Sequence, residues 1–163
     1  MDTTQITYPY LPENKKILYA SISDPFMAKA KEIRDTKSGD KNHSTGAVVV
    51  KNGIILGEAA NQAGYKHEFL KLWHQKWMCF RKWFKISSGQ KYWLCPGCAT
   101  NKNHAETLSI NDAILKHGKE ALIGADLYLY GHWWCCKPCW DSIINAEVKN
   151  VYLLDESMKL FKK

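Results

Sequence analysis

The chain has 163 residues, 45% of them apolar, enough for one compact domain over residues 1–163 with a continuous core. A formal net charge of +7 points to an anionic partner, without choosing among nucleotide phosphate, nucleic acid and an acidic surface. The opening MDTTQITYPYLPENKK lacks the apolar core of a leader peptide, and no stretch approaches roughly 18 uninterrupted apolar residues, so a cytoplasmic protein with no membrane partner is expected.

In DPFMAKAKEIRDTKSGD, Asp24 suits an N-cap and Pro25 the first helical position, while Phe26, Met27, Ala30 and Ile33 share a face. An amphipathic helix ending near Ser38-Gly39 is expected. GAVVVKNGIILGEAAN then sets two apolar runs about Asn52-Gly53, the pattern of a hairpin over 46–59, with Asn61 just past its exit.

Residues 65–98 read as a basic, aromatic insert. Phe69, Trp73, Trp77, Phe80 and Phe84 recur at helical spacing among lysines and Arg81. Such a stripe could face nucleic acid or an anionic membrane, but one this regular is more often packed on the domain or on a neighbouring subunit, and packing is the expectation.

HAETLSINDAILKH (104–117) repeats apolar residues at Leu108, Ile110, Ala113, Ile114 and Leu115, and Gly118 follows as a stop. ADLYLYG is a strand, KPCWDSIINAEVK a helix with Pro138 in its first turn, and VYLLD a strand. Helix, hairpin, insert, helix, strand, helix, strand is an order that predicts a mixed sheet with helices on its faces, parallel where a helix joins two strands.

Six cysteines in a chain with no export signal are expected to be reduced ligands or thiols rather than disulfides. Cys95 and Cys98 form one CxxC and Cys136 and Cys139 another, leaving Cys79 and Cys135. His104 and Cys136 each stand near a helix start, where the dipole favours thiolate. One imidazole and two thiolates give tetrahedral zinc three protein ligands and leave the fourth position to water, the pattern of a catalytic site. Glu106 lies too near His104 in sequence to be an obvious fourth ligand, and suits proton transfer instead. A closed structural site, with Cys135 or His132 as fourth ligand, stays open at this point.

His104-Ala105-Glu106 followed some 30 residues later by Cys136-Lys137-Pro138-Cys139 resembles the HxE and PCxxC signature of the zinc-dependent cytidine and deoxycytidylate deaminases. STGAVVVKNGIILGEAAN is similar to the hairpin before the active site of that family, and SIINAEVKNVYLLDE is most similar to the deoxycytidylate branch. The resemblance implies a three-layer α/β/α fold around a mixed five-stranded sheet and hydrolytic deamination at C4 of cytosine. It implies zinc on His104, Cys136 and Cys139, and Glu106 as the proton shuttle. Ala105 and the Trp134-Cys135 segment would line the base pocket through their backbone, Asn61 and Thr45 would contact the nucleoside, and Trp133 and Trp134 would wall the pocket. A homo-oligomer is implied as well. Two positions depart from the pattern: Cys135 stands where the family has proline, and Glu147 where a glycine would turn the chain.

In the insert, Cys79, Cys95 and Cys98 with one histidine, either His67 or His74, would suffice for a second, structural zinc, and some members of the deoxycytidylate branch are similar in this. Two buried free thiols are the competing reading. For substrate, deoxycytidylate leads on the C-terminal resemblance. Cytosine in single-stranded nucleic acid is the alternative, since Trp133 sits three residues before Cys136 as in polynucleotide-editing deaminases. A non-catalytic zinc module that binds nucleic acid is the third reading.

Overall fold

The computed structural model describes residues 9–40, 42–64, 67–86, 91–95 and 97–162. The start of the opening segment (1–8) and parts of the insert (65–66, 87–90 and 96) lie outside the described residues.

Five strands make one mixed sheet in the order β1-β5-β4-β2-β3. β2 (Gly46–Lys51) and β3 (Ile54–Ala60) are the expected hairpin, closed by Asn52 (φ 53°) and Gly53 (φ 77°), the pair of left-handed residues that a two-residue turn demands. A bulge after Val49 sets Val49 against Gly57 and Val50 against Ile55. β4 (Asp126–Tyr130) runs antiparallel to β2 and parallel to β5 (Asn150–Leu154), to which α5 (Lys137–Asn145) connects it. β1 (Ile17–Ala20), parallel to β5 at the sheet edge, has no counterpart in the strand order read from the sequence. Its four residues are too few for alternation to register, and only pairing with β5 makes them a strand.

Strand side chains alternate between two cores. Val48, Val50 and Tyr128 pack beneath α1 (Pro25–Lys37) with Met27, Ala30 and Ile33, while Ala47, Val49, Leu127 and Leu129 pack beneath α4 (Ala105–His117) and α5 with Ile110, Ala113, Trp140 and Ile143. This is the expected three-layer α/β/α arrangement. α1 begins as expected, Asp24 Oδ1 accepting from the backbone N–H of Phe26 (2.8 Å) and Met27 (3.1 Å). α4 lies close over β3 because position 57 is glycine: a Cβ there would run into the Ser109 carbonyl and the Ala113 backbone. Leu115, one of the repeating apolar residues of α4, is 87% exposed.

The insert's stripe does not pack on its own domain, one of the two placements expected for it. The stripe belongs to two helices, α2 (Glu68–Lys76) and α3 (Phe80–Trp83), broken at 77–79, and it faces outward: Phe69, Trp77 and Phe84 are each more than 60% exposed. Trp73 and Trp77 stack on one another, centroids 6.2 Å apart. The break arises because the chain turns at Cys79 to bring that sulfur inward. The short α6 (Ser157–Phe161) closes the chain, Phe161 meeting Tyr130 edge-on. No helix among the described residues is long and apolar enough to cross a membrane.

Candidate active site

His104 and Cys136 are the residues that cap α4 and α5, both in extended conformation, and the two helix starts converge. His104 Nδ1 lies 3.3 Å from Cys139 Sγ and 3.5 Å from Cys136 Sγ, and the sulfurs are 3.2 Å apart. Zinc bonds of about 2.3 Å to sulfur and 2.0 Å to nitrogen place tetrahedral ligand atoms roughly 3.5–3.8 Å apart. The triangle therefore fits zinc with only slight widening. Among the described residues neither Cys135 nor His132 joins this group of donors.

The charges suit a cation. Cys136 is held down to about 5 by its hydrogen bond with Cys139 and, against the cost of burial, by the His104 ring, while the same pairing and burial hold Cys139 well above the ordinary thiol value. Burial lowers the pKa of His104, but Cys136 and Glu106 outweigh this and raise it. Glu106, on the first turn of α4, is 6% exposed, and burial pushes its carboxyl above the usual range. A buried carboxyl beside a three-donor metal site can hold and release a proton.

These groups open onto a cavity of about 270 Å³. His104, Glu106, Cys136, His132, Trp133 and Trp134 form one wall, with Thr45 and Asn61 beside them. Asn61 is buried and braces the 38–45 loop: its Oδ1 accepts from Ser38 Oγ (2.7 Å) and the Thr45 N–H (2.9 Å), and its Nδ2 donates to the His43 carbonyl (2.8 Å). His132 Nδ1 accepts from the backbone N–H of Trp133 (3.1 Å) and Trp134 (3.3 Å), which fixes the turn carrying both tryptophans. Ala105 is buried at the first position of α4, and the Cys135 side chain sits in the core; neither side chain lines the cavity.

The insert carries a second cluster. His74, Cys79, Cys95 and Cys98, all buried, bring one imidazole nitrogen and three sulfurs within 4.8 Å of one another. His74 Nδ1 is 3.0 Å from Cys95 Sγ, and Cys79 and Cys98 sulfurs are 3.7 Å apart. A hydrogen bond from Cys98 and, against burial, the His74 ring hold Cys95 down to about 3. Three sulfurs and an imidazole at these separations fit a closed tetrahedral zinc site. Gly97 makes room for it, since a Cβ there would occupy the His74 ring. Of the two histidines considered from sequence, His74 stands in the cluster and His67 is exposed at the cap of α2.

The sequence reading passed over Asp40, His43, Arg81 and Phe161, which also line the cavity. Arg81 carried a signal only as part of a basic insert. Asp40 and His43 carried none, because they reach the cavity through a loop closed by Asn61.

A sequence model of the cytidine and deoxycytidylate deaminase zinc-binding region matches residues 21–155. The dCMP deaminase of cyanophage S-TIM5, solved with dCMP and dUMP, shares the fold at TM-score 0.52 and 21% identity, with 86% of this chain and 90% of that one covered. A Thermotoga maritima diaminohydroxyphosphoribosylaminopyrimidine deaminase/reductase is 25% identical over 78% of this chain at TM-score 0.45, and the chain spans only 28% of its length. Bacillus subtilis guanine deaminase is 20% identical at TM-score 0.46, with 83% and 68% covered. Comparison with curated protein sequences returns no match. With the family's zinc-binding region spanning all but the two ends of the chain, and His/Cys donors gathered where two of its helices begin, the chain belongs to the cytidine and deoxycytidylate deaminase family and is a zinc-dependent hydrolase.

Proposed function

We propose that the chain deaminates the cytosine of a free nucleotide, converting dCMP to dUMP, with His104, Cys136 and Cys139 as zinc ligands and Glu106 as the proton-transfer residue. The observation that carries this reading is the buried Glu106 carboxyl facing a nucleotide-sized cavity beside the three-donor site. Zinc held there would supply a bound water with its pKa lowered toward about 7. Glu106 takes a proton from the attacking water and delivers it to N3 of the ring. As the C4–N bond breaks and the C4 carbonyl forms, Glu106 takes the second proton of the water from the C4 hydroxyl and passes it to the departing amine, so that water and dCMP become dUMP and ammonia. Trp134 and the Asn61-braced loop hold the base, and the cavity, just below the roughly 300–1,000 Å³ usual for ligand sites, suits one small ligand such as a nucleotide.

His74, Cys79, Cys95 and Cys98 are proposed as ligands of a second, structural zinc. The protein is proposed to act in the cytoplasm as a homo-oligomer. A second reading, deamination of cytosine in single-stranded nucleic acid, is favoured by the outward-facing Phe69, Trp73 and Trp77 among lysines.

The test incubates purified protein with dCMP, deoxycytidine, cytidine and single-stranded oligonucleotides and follows the absorbance change. Turnover of dCMP is expected, and turnover of oligonucleotide alone would sink the reading in favour of the second. In Glu106→Gln the rate should fall by roughly 100- to 10,000-fold with metal content unchanged. An undiminished rate would remove Glu106 from the mechanism.

A further inference from the structure

The loop that borders the catalytic cavity is fastened to the insert's sulfur cluster. Asp40 lies on that loop, lines the cavity and is buried. Its Oδ1 accepts from the backbone N–H of Asn42 (3.0 Å) and His43 (3.1 Å), which folds the loop on itself. Its Oδ2 accepts from the N–H of Ala99 (3.3 Å), the residue after Cys98. Asn42 Nδ2 in turn donates to the His74 carbonyl (3.2 Å). The loop thus grips the backbone at two members of the cluster, while Asn61 joins its ends at Ser38 and Thr45.

The His74 ring completes the link. Its Nδ1 faces Cys95 Sγ at 3.0 Å, and its Nε2 is buried without a hydrogen-bond partner. A histidine that gives one ring nitrogen to a metal carries its hydrogen on the other, and ligating histidines commonly donate that N–H to a carboxylate. Here the carboxylate is Asp40: Nε2 lies 3.9 Å from its Oδ1, and neither side chain is more than 4% exposed. The gap is about 1 Å beyond a hydrogen bond, and a small rotation of the ring closes it. Acceptor capacity remains, because a carboxylate offers about four lone-pair sites and the backbone uses three. Leaving that N–H unmet in the interior would cost more than the movement.

We propose that Asp40 is a positioning residue that couples the insert's metal site to the nucleotide cavity: its carboxylate accepts the Nε2–H of metal-bound His74 and, in the same stroke, holds the 38–45 loop in the form that receives the nucleotide. Metal in the insert and nucleotide in the cavity then favour one another's binding. This rests on the second zinc and on the nucleotide reading proposed above.

The test counts zinc per chain and titrates the wild type, Asp40→Asn and Cys95→Ser with dUMP by calorimetry. An amide at position 40 cannot accept from the backbone and the ring alike, since one of its two heads donates. In Asp40→Asn the insert zinc should bind roughly 10- to 100-fold more weakly in competition with a chelator. The Kd for dUMP should rise on the order of 10-fold in both variants, and for dCMP the loss should fall on KM rather than kcat. Saturating dUMP should tighten the insert zinc of the wild type by the same factor, because coupling is reciprocal, and should leave that of Asp40→Asn unmoved. Amide hydrogen exchange reads the loop without ligand: the N–H groups of Asn42, His43 and Ala99 should exchange faster in Cys95→Ser than in the wild type. A wild type that binds dUMP without any change in zinc affinity overturns the proposal, as does an Asp40→Asn variant that keeps the linkage. Should Asp40→Asn fail to fold, the wild-type linkage and Cys95→Ser decide. One zinc per wild-type chain would overturn the second-zinc reading and the proposal with it. Two zincs without dUMP binding would overturn the nucleotide reading instead, and unchanged exchange in Cys95→Ser would then overturn the role of Asp40.

Discussion

Cys135 and Cys136 are neighbours with opposite fates. Cys135 is fully buried in the core beneath α4 and α5, and burial, then the nearby Glu106 and Cys136, push its thiol well above the ordinary value. Cys136, at the helix cap, faces His104 and is held down to about 5. Cys135→Ala should therefore keep the metal, while Cys136→Ser should lose it, as a colorimetric zinc assay would read. His132 supports a pH prediction. Burial, with His104 and His43 nearby, lowers its pKa to about 4, and its Nδ1 accepts two backbone hydrogen bonds that protonation would abolish. The unfolded chain takes up that proton near pH 6.5 and the folded one only near 4, so stability declines as pH falls through this window. Between pH 7 and 5 the contribution is roughly 2 kcal/mol. Urea midpoints should drop over that interval and drop less in His132→Gln; an equal drop in both would remove His132 as the cause.

At the scale of elements, the turn after α5 explains the missing glycine. Glu147 adopts φ 55° and is exposed, so the position wants a left-handed residue and holds a glutamate at a cost. Glu147→Gly should raise stability by about 0.5–1 kcal/mol, visible as a higher denaturant midpoint with unchanged slope. The insert behaves differently, because its short helices leave most of their aromatic side chains in water and the sulfur cluster ties them to the 95–98 segment. If the proposed second zinc is held there, Cys95→Ser should lower bound zinc from two ions per chain to one and lower Tm, because that metal would tie down a segment that buries little of its own apolar surface. A variant that still binds two would place the second ion elsewhere.

Across the whole molecule, two cores on opposite faces of one sheet position the helix starts that carry His104 and Cys136. Leu115 (87%) on α4 and Ile144 (41%) on α5 are exposed apolar side chains on neighbouring helices, and the proposed homo-oligomer, if built through these helices, would cover them. Sedimentation should show an oligomer that Leu115→Asp shifts toward monomer, and a wild type sedimenting as monomer would remove these helices as an interface. The helices and strands that pack on the sheet were legible because their periodicity reflects two-sided burial. The insert's stripe was legible as a helical face, but periodicity does not say what covers such a face.

What the sequence determined by itself was local chemistry. Asp24 as a cap, Asn52-Gly53 as a left-handed turn, and the spacing of His104, Glu106, Cys136 and Cys139 follow from backbone sterics and donor type, which act over a few residues. Only the tertiary structure decided that β1 is a strand, that His74 rather than His67 joins the three insert cysteines, and that Cys135 turns into the core. It alone brought Arg81 of the insert to the lining of the cavity that holds Glu106. Each of these depends on contacts between segments far apart in the chain, where pairing, burial and exclusion of water choose among side chains that look equivalent in sequence.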